Sequence, residues 1–202
     1  KIKKVSPEDF LSKDFNFPIY TQLSVKDYVS RDDKKNFDKS VFFSNPAGHS
    51  STFLKYAQVA DMYVACHYWD NRSPFIFTRK DMEHPNWKIS VVADVSCDID
   101  GPVACTLRPS TITNPFYGYD PKTQKEVDFY SKNSIGVMAV DNLPCELPKD
   151  ASLEFGKMFI DHVLQPLTGN DPEEIIYRAS ETINGRLTPH FEYLQDYLDG
   201  KD

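Results

Sequence analysis

KISVVADVSCDIDGP, residues Lys88–Pro102, decides how the rest of the chain is read. It starts as an unbroken apolar run and ends in small polar residues and three carboxylates. The run Ile89–Val95 is too short for a helix and rich in β-branched side chains. That combination predicts a strand buried on both faces, as in parallel sheets. Ligands of open parallel sheets bind beyond the carboxyl ends of the strands. Asp94, Ser96, Asp98 and Asp100 fall there. Read alone, these acids serve either a ligand crevice or a solvated loop exit.

The pattern recurs on both sides. Met62–Cys66 is an apolar strand that runs into His67, Tyr68, Trp69 and Asp70. Ile135–Val140 runs into Asp141, Asn142, Leu143 and Pro144. If the three strands are parallel neighbours, their polar ends share one rim made of His67/Tyr68, Asp94–Asp98 and Asp141–Asn142. Strands alternating with helices make the class α/β.

Other segments read more locally. Lys1–Val5 is a short strand, and Ser6-Pro7-Glu8-Asp9 opens a short helix, with Ser6 as its cap and Pro7 at its first position. Residues 12–50 show no usable periodicity, and Asp32–Lys35 reads as a solvated loop. Ser50–Val59 is expected to be helical, and Thr78 caps a short helix through Met82. Residues 103–131 are an excursion, with hydroxyls at Thr106–Thr113 around Arg108 and a hairpin tip at Asp120. A helix near Pro148 carries Ala151, Phe155, Met158, Phe159 and Val163 on one stripe and is expected to stop at Pro166. Asn184-Gly185 is a turn, and Thr188-Pro189 opens a last helix.

Composition narrows the function. The 202 residues fit one domain, or one with an appendage, and 40% hydrophobic content supports a real core. A net charge of −7 with dispersed acids argues against nucleic acid or an anionic membrane as the main partner. No apolar run approaches the ~20 residues that span a bilayer, and the polar residues after KIKKV rule out reading the start as a signal peptide. Cys66, Cys97, Cys105 and Cys145 have no C-x-x-C spacing, so free thiols and a reducing, cytoplasmic setting are expected. The scattered histidines imply no metal site.

The eight glycines contain no G-x-G-x-x-G, and the chain has no G-x-S-x-G elbow or H-E-x-x-H pair. Yet Lys1–Val5 followed by a helix looks like the second strand of a dinucleotide-binding domain, whose glycine turn would then precede Lys1. An opening on Lys1 rather than Met adds to the expectation of a fragment.

Specific segments carry a resemblance. VACHYWDNRSPFIFTRKDM (64–82), VADVSCDIDGP (92–102), TLRPSTITNPFYGYD (106–120), VMAVDNLPCELPKDAS (137–152) and INGRLTPHFEYLQ (183–195) resemble the saccharopine dehydrogenase and lysine–ketoglutarate reductase group, related to alanine dehydrogenase. The resemblance implies a two-domain oxidoreductase that uses NAD or NADP. Residues 1–167 would be the later part of its Rossmann-like cofactor domain, a partial parallel sheet. Residues 168–202 would be a helical tail packing on an N-terminal catalytic domain absent from this chain. It further implies that Asp94, Val95 and Ser96 lie beside the nicotinamide ribose, that Asn142 and Leu143 lie under the nicotinamide, and that Cys66, His67 and Tyr68 lie by the cofactor. Asp98 aligns with an acid facing the reacting centre and is the catalytic candidate. The family's main proton-transfer Lys and His would lie in the absent domain. Arg108 meets either a substrate carboxylate or a nearby acid.

The implied partners are a nicotinamide dinucleotide and an amino-acid or oxo-acid substrate. The implied chemistry is reductive condensation of lysine with 2-oxoglutarate, or its reverse. Asp141 favours this branch over alanine dehydrogenase-like deamination. A non-enzymatic module that kept the sheet is the third reading. The chain alone is expected to be inactive.

Overall fold

The computed structural model describes residues 1–201. It divides into two compact units, Lys1–Leu143 and a second from Pro144 onward. The first is built on a five-stranded sheet. Its strands are β1 (Met62–Ala65), β2 (Val91–Asp94), β3 (Phe116–Asp120), β4 (Lys125–Val127) and β5 (Ile135–Met138), in the spatial order β1-β2-β5-β3-β4. β1, β2 and β5 are parallel neighbours, with Met62 opposite Val91 and Val91 opposite Gly136. The three apolar runs of the sequence are thus adjacent, and α/β is the observed class.

The excursion completes the sheet. β3 runs antiparallel to β5, and β4 antiparallel to β3 around the tip expected at Asp120. Asp120 holds that tip by accepting from Lys122 N–H at 2.9 Å and from the Thr123 hydroxyl at 2.8 Å. Gly118 is required here, because a Cβ would run into the Asp128 carbonyl oxygen.

One face of the parallel strands packs on the core. Val92 and Val137 are buried with Phe53, Tyr56, Ile76 and Phe77, and the rings of Phe53 and Phe77 stack at 5.7 Å. Each such fully buried side chain contributes ~1.5–3 kcal/mol over leaving it exposed.

The N-terminal reading holds in outline. Ser6 caps the helix Pro7–Ser12 by accepting from Asp9 N–H at 3.1 Å. The preceding strand is shorter than expected, Lys3–Lys4, and pairs in parallel with Ile19–Tyr20. Residues 12–50, opaque in sequence, hold short helices at Val25–Tyr28 and Lys39–Ser44. The helix expected over Ser50–Val59 is confined to Leu54–Ala57. Its first residues instead belong to a strand, His49–Ser51, antiparallel to Val29–Arg31. The hydroxyls decide this: Ser50 donates to Asp32 at 2.6 Å and Ser51 to the Ile76 carbonyl at 2.5 Å, contacts that a helix would forgo.

In the second unit the helix Pro148–Phe159 does not stop at Pro166. A wider turn at Ile160–Leu164 leads into Gln165–Thr168, so the proline sits in the first turn of a renewed helix, where its missing N–H costs nothing. The apolar stripe is only partly covered: Phe155 is 74% and Met158 58% exposed, while Ala151, Phe159 and Val163 are half-buried. The last helix is split between Pro189–Leu194 and Gln195–Leu198. At Asn184-Gly185 both residues have positive φ, 53° and 74°, the two-residue turn that suits the hairpin Thr182–Ile183/Arg186–Leu187.

Candidate functional site

Because β1, β2 and β5 are parallel neighbours, their carboxyl ends open on one edge of the sheet. The exits are Cys66–Tyr68, Val95–Asp98 and Ala139–Leu143. The sequence carried this juxtaposition only as a condition, that the three strands be parallel neighbours. What it did not show is how the exits are tied.

The first tie joins β1 to β2. The Ser96 hydroxyl donates to the His67 carbonyl at 2.9 Å and accepts from the His67 N–H at 3.2 Å. One small side chain thereby continues the strand pairing past the point where both backbones diverge. A Val95 N–H to Ala65 carbonyl bond of 2.9 Å precedes it.

The second tie is Asp94. It is 0% exposed, on the core face of β2. One carboxyl oxygen accepts from the N–H groups of Ser96 at 3.1 Å and Cys97 at 3.2 Å. The other accepts from the Thr106 hydroxyl at 2.6 Å. Asp94 therefore does not open onto the rim; it bends the chain so that Val95, Ser96 and Asp98 do. The bend places Cys97 at φ 55° and Asp100 at φ 51°, in the left-handed region. Gly101 closes it, donating its N–H to the Asp98 carbonyl at 3.0 Å, where an added Cβ would lie 2.6 Å from that of Asp98.

The third exit is pinned by Ser110. Its hydroxyl accepts from Ala139 N–H at 2.9 Å, and its own N–H donates to the Ala139 carbonyl at 2.8 Å. Thr106 and Ser110 were visible in sequence only as a hydroxyl-rich loop. Buried at 0% and 1%, they hold the second and third exits. The available signal was that hydroxyls in a loop beside an apolar core need partners there.

Beyond these anchors the rim is open. Tyr68 is 93% exposed, Cys66, Val95, Asp141 and Asn142 are exposed, and Ser96, Asp98 and Leu143 are partly so. Burial, reinforced by the charges of Asp94, Asp141 and Asp98, pushes the Cys97 thiol up to about 11. Burial also lowers the His67 imidazole below its usual value, against the pull of Asp94 and Asp98. His67 Nε2 is buried without a hydrogen-bond partner. The neutral ring suits a polar contact better than a positive charge.

Arg108 is committed elsewhere. Its guanidinium meets Glu126 through two bonds of 2.8 Å and lies 4.7 Å from the Tyr117 ring centre. Of the two partners the sequence left open, the structure supplies the acid. All four cysteines are free, with Cys66 and Cys145 exposed and Cys105 buried. No helix among the described residues is long and apolar enough to cross a membrane.

Fold and rim together define a partial Rossmann-like α/β unit with an open strand-end crevice. No protein-family model matches the chain. Its homologues among characterised proteins are alpha-aminoadipic semialdehyde synthases and saccharopine dehydrogenases. It is 28% identical to the synthase of Arabidopsis thaliana over 180 residues, 85% of this chain and 17% of that protein. To the mitochondrial synthase of Mus musculus it is 25% identical over 209 residues, 90% of this chain and 22% of that protein. To the NAD(+), L-lysine-forming saccharopine dehydrogenase of Schizosaccharomyces pombe it is 30% identical over 105 residues, 52% of this chain and 27% of that protein. The chain thus spans about a quarter or less of the length of these relatives, and the resemblance read from the sequence is to the same proteins.

Proposed function

We propose that this chain forms the later part of the cofactor domain of an NAD(P)-dependent oxidoreductase acting on the carbon–nitrogen bond of saccharopine. The observation that carries the reading is the Ser96–His67 lock between two parallel strand exits, in a chain whose relatives are saccharopine enzymes. The residues present fit the nicotinamide-ribose half of a dinucleotide: an open rim of hydrogen-bonding groups and an orphaned buried imidazole nitrogen. When bound, the dinucleotide would supply hydride transfer.

The chain's own groups then have distinct tasks. Ser96, with Asp94 and Thr106 behind it, fixes the height of the β2 exit. Val95, Asn142 and Leu143 offer the surface on which a flat ring rests. Cys66, His67 and Tyr68 border it. Asp98 sits where a carboxylate biases charge near the reacting carbon. Proton transfer to and from the amine belongs to groups outside these residues. In this reading residues 168–202 dock on a separate catalytic domain. Four free thiols suit a reducing compartment such as the cytoplasm, and the mouse relative is named as mitochondrial.

The test is an assay of the full-length parent protein with lysine, 2-oxoglutarate and either reduced nicotinamide dinucleotide, beside pyruvate with ammonia. Cofactor oxidation with the first pair alone supports the proposal; turnover only with pyruvate, or with neither, overturns it. The isolated 202-residue chain is expected to be inactive in the same assay.

A further inference from the structure

The connection between β2 and β3 is a loop that the fold has buried. Gly101, Pro102, Val103, Ala104, Cys105 and Thr106 are all buried, and so is Ser110. Loops normally run over the surface, because buried backbone groups must find partners. This loop finds them at the exits of the parallel strands. The Pro102 carbonyl accepts from Ile76 N–H at 3.0 Å and from Phe77 N–H at 3.2 Å, in the connection that leaves β1. The Thr106 hydroxyl holds Asp94 at the end of β2. Ser110 holds Ala139 just past the end of β5. Between these points the Tyr117 hydroxyl, on β3, accepts from Leu107 N–H at 2.9 Å and donates to the Cys105 carbonyl at 3.0 Å.

The hold on β5 is the one the sheet itself does not supply. Gly136 N–H donates to the Ser90 carbonyl, toward β2, so with a strand period of two the N–H and C=O of Ala139 face β3. β3 pairs Tyr117 with Val137 and Phe116 with Met138. The next residue in that register, opposite Ala139, is Pro115, and proline has no N–H to give. β3 begins only at Phe116, and Ala139 is 0% exposed, so without help both of its backbone groups would be buried and unpaired. Ser110 supplies a donor and an acceptor from one residue. It keeps β5 on course one step further, before the chain turns into Asp141, Asn142 and Leu143.

We infer that Ser110 is a positioning residue for hydride transfer: through the buried segment 102–110 it fixes the height of the Asn142–Leu143 shelf against the β2 exit that carries Asp98. This role rests on the functional reading of the rim and deepens it. Ser110 is 1% exposed, behind the rim, and meets neither cofactor nor substrate. It acts through geometry. Hydride transfer needs its reacting atoms close and aligned, and a misplacement of about 1 Å can cost ~10²-fold in rate. Because Thr106 and Ser110 belong to one segment, the shelf and the acid keep their relative height as a unit, and loosening one end loosens the other.

The test has two arms. In the full-length parent, Ser110→Ala removes the acceptor of the Ala139 N–H. Assayed with lysine, 2-oxoglutarate and the reduced dinucleotide, kcat should fall ~10- to 100-fold. The Michaelis constant for the dinucleotide should stay within about twofold, since no binding contact is removed. The primary isotope effect on kcat, read with a dinucleotide deuterated at the transferred position, should rise as hydride transfer becomes the slow step. Mere loss of folded protein lowers kcat without moving the isotope effect, and that pattern overturns the role. So does an unchanged kcat, or a raised Michaelis constant with kcat kept. In the isolated 202-residue chain, amide hydrogen exchange reads the coupling with no activity required. Ser110→Ala should speed exchange at Ala139 and, through the segment, at Ser96 and Cys97, whose amides Asp94 holds. The rise should exceed any at Val92, which sits mid-sheet with a partner strand on each side and reports global opening. A rise at Ala139 alone would mean that the exits are held separately, and would overturn the role. An active parent with unaltered Ser110→Ala kinetics would end the positioning role and leave the functional proposal standing; a parent that oxidises no reduced dinucleotide would end both.

Discussion

Thr106→Val removes one oxygen and leaves the shape of the side chain almost unchanged. In the structure that oxygen donates at 2.6 Å to an oxygen of Asp94 that accepts no other hydrogen bond, on a carboxyl group 0% exposed. Leaving a buried acceptor without its partner costs about 1–3 kcal/mol. For a chain of this size each kcal/mol lowers the thermal midpoint by about 2–4 °C, so the expected loss is about 2–12 °C. Trp69 and Trp87 both lie in the first unit, so tryptophan fluorescence during thermal and urea unfolding reports on the unit in question. Thr113→Val, at an exposed threonine of the same loop, should stay within about 0.5 kcal/mol of the parent. The two carboxyl oxygens divide the work, so Thr106→Val should also speed exchange at the Ser96 and Cys97 amides, which share the other oxygen. A Thr106→Val chain as stable as the parent, or a Thr113→Val chain equally damaged, would refute the claim that Asp94 is the internal anchor of the β2 exit.

Three further outcomes follow from the same geometry. A thiol reagent at mildly alkaline pH should modify Cys66 and Cys145 quickly and spare Cys97 and Cys105, whose thiols burial pushes up to about 11 and about 12; mass mapping that finds Cys97 modified first would contradict the packing around it. Burial holds the His67 imidazole below its usual value, so the folded form resists protonation more than the unfolded form does. Stability from this group is intact above the ordinary value of ~6.5 and is lost as pH falls from there through the lower folded value; His67→Gln should flatten that part of the pH–midpoint curve, and an unchanged slope would discount the burial. Arg108→Met should cost no more than about 1 kcal/mol, since its ion pair with Glu126 is partly solvent-accessible, and should leave the Michaelis constants of the parent enzyme unchanged; a large rise in the constant for the oxo acid would restore Arg108 as a substrate contact.

The parallel strands were legible because short β-branched apolar runs fit a strand and are too short for a helix: Val91–Asp94 lies within the stretch expected as Ile89–Val95. The burial expected on both faces is not met, since Val91 is 36% and Val95 41% exposed. Neighbour order was not legible, because register is set by pairing between strands far apart in sequence. Of the rim, the three strand exits share one edge of the sheet, as the condition of parallel neighbours required, but Asp94, placed in the crevice by the sequence reading, is buried. Its place on the core face follows from the strand alternation that buries Val92, which the unbroken apolar run concealed. Thr106 and Ser110 were missed as anchors because a hydroxyl's task depends on which acceptor the fold brings to it. The Phe155 stripe shows the converse limit: an amphipathic pattern marks a face that needs cover without saying where the cover comes from.

The central claim is that Cys66–Tyr68, Val95–Asp98 and Asp141–Leu143 are one surface shaped for a nicotinamide riboside. The most direct measurement is a heteronuclear NMR titration of the chain with nicotinamide mononucleotide, which carries that half of the cofactor and needs no glycine turn for a pyrophosphate. Weak, saturable shifts confined to those three exits are expected, reduced in Ser96→Ala, where the bridge to His67 is gone. Shifts scattered over the surface, or centred on the Arg108–Glu126 side of the sheet, would contradict it.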